Sequence, residues 1–327
     1  MTANPHPTYA SFLGVSAPEA SFAAGGLPAA FIPVKSMTPS DKLVWLEDEG
    51  WRGAPVKTYG GTPGPLYAEF EFAGDVYADA IGYVYVGLLG DVTVTGSVAP
   101  YTTAAAVLCS GSQQPPTYCF TDWNSNITGY QLAGARLSEM GLKFSGTGKL
   151  EYDAKATVES NTVNGTKPSF INEPDQIIAG WKGAVQLGGS SVGFVVEGEQ
   201  NIKRAVEIID AVDGTQAPYY LFAGELTVDG KLTIVMEDDT WRANYVAGTV
   251  TSIDISYTQG TGATTQQVKT HCSTIRIEDA KVNRGKSYAE LELTYTADAN
   301  TSDVGASGGF SPIKVTLQNA NPSGTYK

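Results

Sequence analysis

The feature that most constrains this chain is a succession of short runs in which apolar and polar side chains alternate, separated by turns rich in glycine and proline. Residues 67–72 show it most clearly, because Glu69 and Glu71 alternate with Phe70 and Phe72. Successive side chains of a strand point to opposite faces, so this alternation predicts a half-buried strand. Only 17% of the 327 residues are charged and 37 are glycine, which favours a mainly β fold with many turns.

Two segments have the spacing of a helix instead. The first, Asp75 to Leu89, is followed by Gly90, a residue that can end a helix in the left-handed conformation. The second, Glu237 to Val246, carries Asp238 and Asp239 near its start, where the helix dipole favours acidic side chains. We therefore expect two short helices that flank the β-sheets.

The two halves of the chain follow one plan: a strand, a short helix, a strand, a long paired hairpin and a further strand. The hairpin is the clearest part, since Arg136–Glu139 followed by Leu150–Tyr152 parallels Arg276–Asp279 followed by Leu291–Leu293. The sequence offset between the two helices is larger than the offset between the two hairpins. We attribute the difference to an insertion at residues 99–121, which we expect to be a long loop or a hairpin. A plan repeated within one chain predicts a duplicated β-sandwich or barrel unit with a flanking helix.

The composition along the chain predicts three parts. Residues 1–30 are rich in alanine, glycine, proline and serine without a sustained period, and we expect an extended N-terminal arm. Residues 31–165 are the first β domain and residues 176–327 the second. The polar segment between them contains Pro168 and Pro174.

No combination of residues predicts a catalytic, cofactor-binding or metal site. The chain has two histidines, and His271 stands beside Cys272 in a strand pattern, where neighbours point to opposite faces. Residues 189–193 match the nucleophile-elbow motif, but a strand pattern rather than a helix follows them. We therefore expect no enzymatic activity.

The formal charge of −13 argues against a protein that grips the phosphates of nucleic acid. It is compatible with a surface that repels the DNA backbone. Neither a secretory signal nor an apolar run long enough for a membrane helix is present in the sequence, so we expect synthesis in a cytoplasm and no membrane contact. Three cysteines do not suggest a disulfide framework, although Cys109 and Cys119 could meet across a hairpin.

Residues 218–235 and the acidic segment 237–245 resemble the recurrent hairpin and short helix of the major tail tube proteins of long-tailed, siphovirus-like bacteriophages. We place the turn of this hairpin at Asp229 and Gly230, because Asp-Gly is a strong hairpin signal. Residues 74–92 are similar to another stretch of the same family, and the resemblance extends over about residues 30 to 320.

This resemblance implies a structural virion protein that is assembled in the cytoplasm of the bacterial host. Subunits of the family form rings in which one sheet of each unit joins its neighbours, and the rings stack into a tube through which viral DNA leaves without specific binding. Further implied partners are the tape measure, terminator and distal tail proteins, with no cofactor. If both halves are tube units, three chains give a pseudo-sixfold ring, and if only one is, six chains are needed.

If the paired hairpins line the channel, their acidic residues face the DNA. The candidates are Glu139, Glu151, Asp153, Glu290 and Glu292. Two alternative functions remain at this point: a secreted or surface β-sandwich binding module, for glycans for example, and another phage component such as a tail terminator or capsid decoration protein.

Overall fold

The computed structural model describes residues 8–124, 128–164, 176–192 and 194–327, and most of their regular structure is β-strand. The first half contains β1 (Phe12–Ser16), β2 (Pro28–Ile32), β3 (Ser36–Asp48), β4 (Gly60–Asp75), α1 (Ile81–Leu89), β5 (Gly90–Thr95), β6 (Tyr101–Val107), β7 (Tyr118–Asn124), β8 (Thr128–Ser145), β9 (Glu151–Val158) and β10 (Ser160–Asn164). The second half contains β11 (Gly183–Leu187), β12 (Ser190–Ser191), β13 (Val195–Ile209), β14 (Tyr220–Val235), α2 (Thr240–Val246), β15 (Thr251–Gln259), β16 (Gln266–Asn283), β17 (Glu290–Ala297) and β18 (Lys314–Asn319). The predicted mainly β fold is confirmed.

Both helices lie where the sequence predicts them, although each is shorter at its start. Helix α1 begins at Ile81 because Asp75 ends β4, where it pairs with Glu151 of β9. It ends at Gly90, whose φ of 87° is the predicted left-handed conformation. Helix α2 begins at Thr240.

One antiparallel sheet, here called the large sheet, runs across both halves in the order β3-β4-β9-β8-β13-β14-β17-β16. Its first four strands come from the first half and its last four from the second. The two sets meet where β8 pairs with β13, from Ser145 opposite Glu197 to Glu139 opposite Lys203. We call this pairing the internal junction. Strands β3 and β16 form the two ends of the large sheet.

The N-terminal parts of β8 and β16 leave the large sheet and join a second set of strands. Its order is β2-β1-β7-β8-β10 in the first half and β12-β11-β15-β16-β18 in the second. The hairpin of β5 and β6 has no equivalent among the described residues of the second half, where β15 follows α2 closely. This hairpin pairs with β18, so an insertion in the first half extends the sheet of the second.

Apart from the β5–β6 hairpin, the pairing pattern therefore repeats between the two halves, and two of its irregularities repeat with it. A β-bulge between Leu43 and Trp45 in the β3–β4 ladder has its equivalent between Arg204 and Val206 in the β13–β14 ladder. A second bulge, between Leu137 and Glu139 of β8, has its equivalent in β16 between Ile277 and Asp279. Bulges are specific features of a fold rather than random defects.

The core lies between the large sheet and the second set of strands. In the first half, Phe70 and Phe72 of β4 pack on Phe120 of β7, with ring centroids 5.7 and 5.4 Å apart. Every residue of α1 is buried, whereas none of α2 is. The ring of Tyr326 closes over α1 at Gly82, where a Cβ atom would lie 2.3 Å from the ring. The C-terminal segment is thus part of the core.

Three local expectations need correction. Asp229 and Gly230 are not a turn, because β14 continues from Tyr220 to Val235 as one strand. Residues 1–30 are not all an extended arm, since they contain β1 and most of β2; residues 1–7 lie outside the described part. The segment 99–121 is not one loop, because it contains β6 and the start of β7. The segment predicted to separate the two domains, residues 166–175, lies outside the described residues.

Candidate functional site

One face of the large sheet packs on the core, and the other carries charged and hydroxyl side chains along all eight strands. Because residues opposite each other in a ladder share a face, the registers place these side chains together. The carboxylates on this charged face are Glu69, Glu71, Asp75, Glu139, Glu151, Asp153, Glu197, Glu199, Asp229, Asp279, Glu290 and Glu292. The lysines are fewer and comprise Lys42, Lys143, Lys155, Lys203, Lys231 and Lys281. The face as a whole is therefore acidic.

All five acids predicted for the channel belong to this face, although they are not equally accessible. Glu139, Glu151, Asp153 and Glu292 have side chains between 28% and 48% exposed. Glu290 is only 4% exposed, and its carboxylate lies 2.7 Å from the ammonium group of Lys286. Glu290 therefore contributes less to the surface charge than the other four.

Ion pairs along the charged face hold its lysines in place. Lys143 lies 2.5 Å from Asp153, and Lys231 lies 3.0 Å from Glu292. The hydrogen bond to Asp153 is the largest cause that raises the pKa of Lys143. The hydrogen bond from Lys231 is the largest that lowers the pKa of Glu292. Since these lysines are already paired with acids of the sheet, they are poor anchors for a phosphate backbone.

The residues considered for catalysis are not arranged for it. Cys272 is buried, and burial raises the pKa of its thiol, while His271 points to the opposite side and contacts Asp254 at 2.9 Å. The hydroxyl of Ser273 lies 3.0 Å from His271 but donates its proton to Asp303. Among the described residues, no group of histidine, cysteine and acidic side chains could hold a metal ion. All three cysteines are free thiols.

A depression of about 590 Å³ opens on the charged face above the internal junction. It is lined by Lys143 and Glu151 from the first half and by Glu197, Glu199 and Lys231 from the second. It is wide open and mostly charged, unlike the apolar, enclosed pockets that bind small molecules. We regard it as part of the surface relief of the sheet.

Two buried arginines connect the two halves beside the internal junction. Arg136 of β8 donates to the carbonyls of Leu221 and Pro115 and, at 2.7 Å, to the hydroxyl of Tyr220. Because Leu221 and Tyr220 belong to β14, this side chain ties the first half to the second.

Arg204 of β13 makes the reciprocal connection. It donates to the Leu88 carbonyl at the end of α1 at 2.7 Å, and to the carbonyls of Gln113 and Gly224 at 3.1 Å. Burial lowers the pKa of Arg204 to about 10, so the guanidinium still carries its charge at neutral pH. Gln114 adds a pair of hydrogen bonds to the backbone of Ala223. These contacts make the internal junction rigid and specific.

The two ends of the large sheet lack such partners. No described strand pairs with the outer edge of β3 or with that of the C-terminal part of β16. Arg276, the equivalent of Arg136, is half exposed and pairs with Asp298 at 2.7 Å. Unpaired edges of this length are sites where another chain can add.

Comparison with known families decides between the remaining alternatives. A family model described as Phage tail tube protein matches residues 16–324. The chain belongs to the phage tail tube protein family. No curated protein matches it by sequence. The resemblance drawn from the sequence is confirmed, and the protein is a structural component of a phage tail.

Membership in the tail tube family implies a virion component that assembles with its own copies and with other tail proteins, in a non-enzymatic role. None of the helices in the described part of the chain has the length and apolar character needed to cross a membrane. The binding-module interpretation has no support in these findings.

The sequence predicted five of the acids on the charged face of this tail tube protein, but neither the other acids of that face nor the internal junction. In the sequence analysis, Arg136 was noted only as the first residue of a repeated hairpin, and Arg204 was not considered. The signal available for Arg136 was its place between the apolar residues Ala135 and Leu137, since a buried charge needs several acceptors around it. Arg204 follows Lys203 and gave no such signal.

Proposed function

We propose that three copies of this protein form a closed ring, that the rings stack into the tail tube, and that viral DNA is ejected through the channel. The observation that carries the proposal is the internal junction. It joins two four-strand units of the same pairing pattern edge to edge, and it leaves the equivalent edges open at both ends of the large sheet. Repeating the same junction between copies closes a ring and removes the open edges.

Both halves have the four strands of a tube unit, which supports three chains rather than six. Three copies of an eight-strand sheet would bring about 24 strands into one barrel. With neighbouring strands about 4.8 Å apart, such a barrel measures at least roughly 37 Å between opposite backbones, and more if the strands tilt. This width leaves room for a DNA duplex after the side chains are allowed for.

The charged face is the wall that we assign to the channel. The opposite face of the large sheet is occupied by the core, so in a closed barrel only the charged face is available to the lumen. Glu151, Asp153 and Glu292 would then repel the phosphates of passing DNA, and the paired lysines would offer them little attraction. We further propose that the ring contacts tape measure, terminator and distal tail proteins and is assembled in the host cytoplasm.

Electron cryomicroscopy of the purified protein over a range of concentrations tests this function. We expect hollow rings or tubes with threefold symmetry that approximates sixfold, and an inner wall that carries Glu151 and Glu292. Six chains in one ring would contradict the trimer, and an inner wall formed by α2 or β11 would contradict the channel assignment. Monomers at every concentration, even with preformed tail tips added as initiators, would contradict tube formation.

A further inference from the structure

The outer edge of β3 presents backbone groups at alternate residues. The N–H of Val76 donates to the carbonyl of Leu150, which fixes the alternation of hydrogen bonds between β4 and β9. Along β4, backbone groups point alternately towards β9 and towards β3. The residues of β3 that lie between those hydrogen-bonded to β4 therefore direct their backbone groups away from β4. These residues are Met37, Pro39 and Asp41. They point to the unpaired side.

The same reasoning applies to β16. The N–H of Met236 donates to the carbonyl of Ala289, which fixes the alternation between β14 and β17. Since β17 then bonds to β16 through its remaining residues, the backbone groups of Ala280 and Val282 point outwards. The two ends of the sheet therefore present complementary ladders.

The internal junction indicates which residues face each other. Glu139 is the first residue after the bulge of β8, and Asp279 is the first after the bulge of β16. Lys203 comes one residue before Arg204, where the bulge of β13 begins, and Lys42 comes one residue before Leu43, where that of β3 begins. Because Glu139 stands opposite Lys203 within the chain, the repeat places Asp279 opposite Lys42 between copies.

We infer that β3 of one copy pairs with the C-terminal part of β16 of the next copy in the register of the internal junction. The inference rests on the proposed ring and adds the residues that form it. The facing pairs are Lys42 with Asp279, Asp41 with Ala280, Ser40 with Lys281, Pro39 with Val282 and Thr38 with Asn283. In this register, the outward residues Asp41 and Pro39 of β3 meet the outward residues Ala280 and Val282 of β16.

The side chains agree with this register. Lys42 and Asp279 have opposite charges, as Lys203 and Glu139 have at the internal junction. Pro39 and Val282 are both half-buried apolar residues that would cover each other on the core side. Pro39 has no N–H, so the ladder between copies has one hydrogen bond fewer than the internal ladder, where Gln200 holds the same position.

Exposed apolar side chains lie next to both edges. An apolar strip follows the segment of β3 that we pair with the next copy, and its side chains are between 39% and 58% exposed. It consists of Leu43, Val44, Trp45 and Leu46. Four consecutive exposed apolar residues are rare on the free surface of a soluble protein and mark a contact site.

Helix α2 supplies the matching surface. Within the chain, Arg204 reaches the end of α1. Leu43 holds the position of Arg204 in β3, so in the inferred register it approaches the end of α2 on the neighbouring copy. Tyr245 and Val246 are exposed there, and Val246 is 75% exposed. The contact between copies would therefore bury apolar groups where the internal junction uses arginine.

Cysteine cross-linking of assembled rings tests the register. The variant Ser40→Cys with Lys281→Cys, in a Cys109→Ser background, places two thiols at a facing, non-hydrogen-bonded pair, where Cβ atoms are about 5 Å apart. The matched control, Ser40→Cys with Asn283→Cys, places them two residues out of register. A disulfide within one chain is excluded, because the two strands lie at opposite ends of eight strands, roughly 30 Å apart.

We expect the first variant to form covalent dimers and trimers on non-reducing gels under mild oxidation, and the control to form at least about tenfold fewer. Efficient cross-linking of the control but not of the first variant, in rings visible by microscopy, would overturn the register and leave the proposed ring intact. Rings with no cross-link in either variant would show that other edges form the contact. The absence of rings would refute both proposals.

Discussion

The internal junction and the open ends of the large sheet are built from equivalent strands with equivalent bulges and the same alternation of hydrogen bonds, yet their side chains differ. The internal junction is sealed by Arg136 and Arg204, two guanidinium groups that are almost fully buried. The equivalent positions at the open ends are Arg276, half exposed, and Leu43, partly exposed. A contact that forms once during folding can bury charged groups among carbonyls, whereas these groups would need water at a surface that is free before assembly.

The helices beside the two junctions show the same contrast. Helix α1 is covered by the C-terminal segment, by the β5–β6 hairpin and by residues 108–117, which contribute Gln113 and Gln114 to the internal junction. Helix α2 has no such cover among the described residues and exposes Tyr245 and Val246. In the proposed ring, the first unit is adapted to a permanent neighbour within its own chain and the second to a neighbour that arrives during assembly.

The largest effect should come from removing a clamp of the internal junction. Arg136→Met leaves the carbonyls of Leu221 and Pro115 and the hydroxyl of Tyr220 without their donor, and we expect a loss of about 3 kcal/mol in the free energy of unfolding. Chemical denaturation of the unassembled subunit measures it.

The matched control is Arg276→Met at the equivalent open position, where the side chain is exposed and its ion pairs are screened by solvent. We expect no measurable change in unfolding. Equal losses in the two variants would show that the two positions are not as different as their burial indicates.

Overpacking α1 should have the next largest effect. Gly82→Ala would bring a Cβ atom to 2.3 Å from the ring of Tyr326, so the C-terminal segment must shift, and we expect a cost of about 2 kcal/mol. Thermal unfolding measures the cost, and faster removal of the C-terminal residues by carboxypeptidase reports the displaced segment.

For comparison, Ala243→Ser at an exposed position of α2 should change the free energy of unfolding by about 0.5 kcal/mol or less. If Gly82→Ala proved as mild as this control, the cover over α1 would be looser than the contact distances indicate.

Truncating the apolar strip next to β3 should separate assembly from folding. Trp45 is 58% exposed in the subunit, so Trp45→Ala should leave unfolding nearly unchanged. In the ring it would remove a central aromatic contact, and we expect the concentration needed for assembly to rise about 30-fold, corresponding to about 2 kcal/mol.

Trp181→Ala is the control, because Trp181 is also exposed but lies beside β11, away from the large sheet's ends. Sedimentation velocity over a dilution series compares the two variants. A similar shift for both would mean that the strip next to β3 is not a specific contact.

The smallest effect should come from charge reversal at a facing pair. Lys42→Glu places like charges opposite each other between copies and should weaken assembly by about two- to fivefold at low salt. The double variant Lys42→Glu with Asp279→Lys should recover most of this loss in the same sedimentation assay. Because Lys42 also pairs with Glu69 of its own chain, failure of the double variant to recover would assign the effect to that local pair.

Much of the fold could be predicted from local patterns. The alternation of Glu69 and Glu71 with two phenylalanines gives a half-buried strand, and Gly90 gives the end of α1. The five acids predicted for the channel wall were named because they lie in the paired hairpins. Strand alternation places Glu151 with Asp153, and Glu290 with Glu292, on one face.

The failures came from contacts that are distant in sequence. Asp229 and Gly230 have the composition of a turn, but Gly230 lies within a strand because the Tyr295 ring occupies the space of its missing side chain, 2.4 Å from where a Cβ atom would lie. Asp229 accepts a hydrogen bond from Asn201 of the neighbouring strand. For the same reason, the sequence did not predict the internal junction: no local feature of β8 specifies β13 as its partner.

The covalent connection between the two tube units changes the kinetics of ring formation. In a six-unit ring made from three chains, every second junction is already formed when the chain folds. Ring closure then requires the association of three subunits instead of six. Each meeting that is avoided saves several kcal/mol of translational and rotational entropy. Nucleation would therefore depend less steeply on subunit concentration, and the first ring of a tail could form early in infection, while the protein is still scarce.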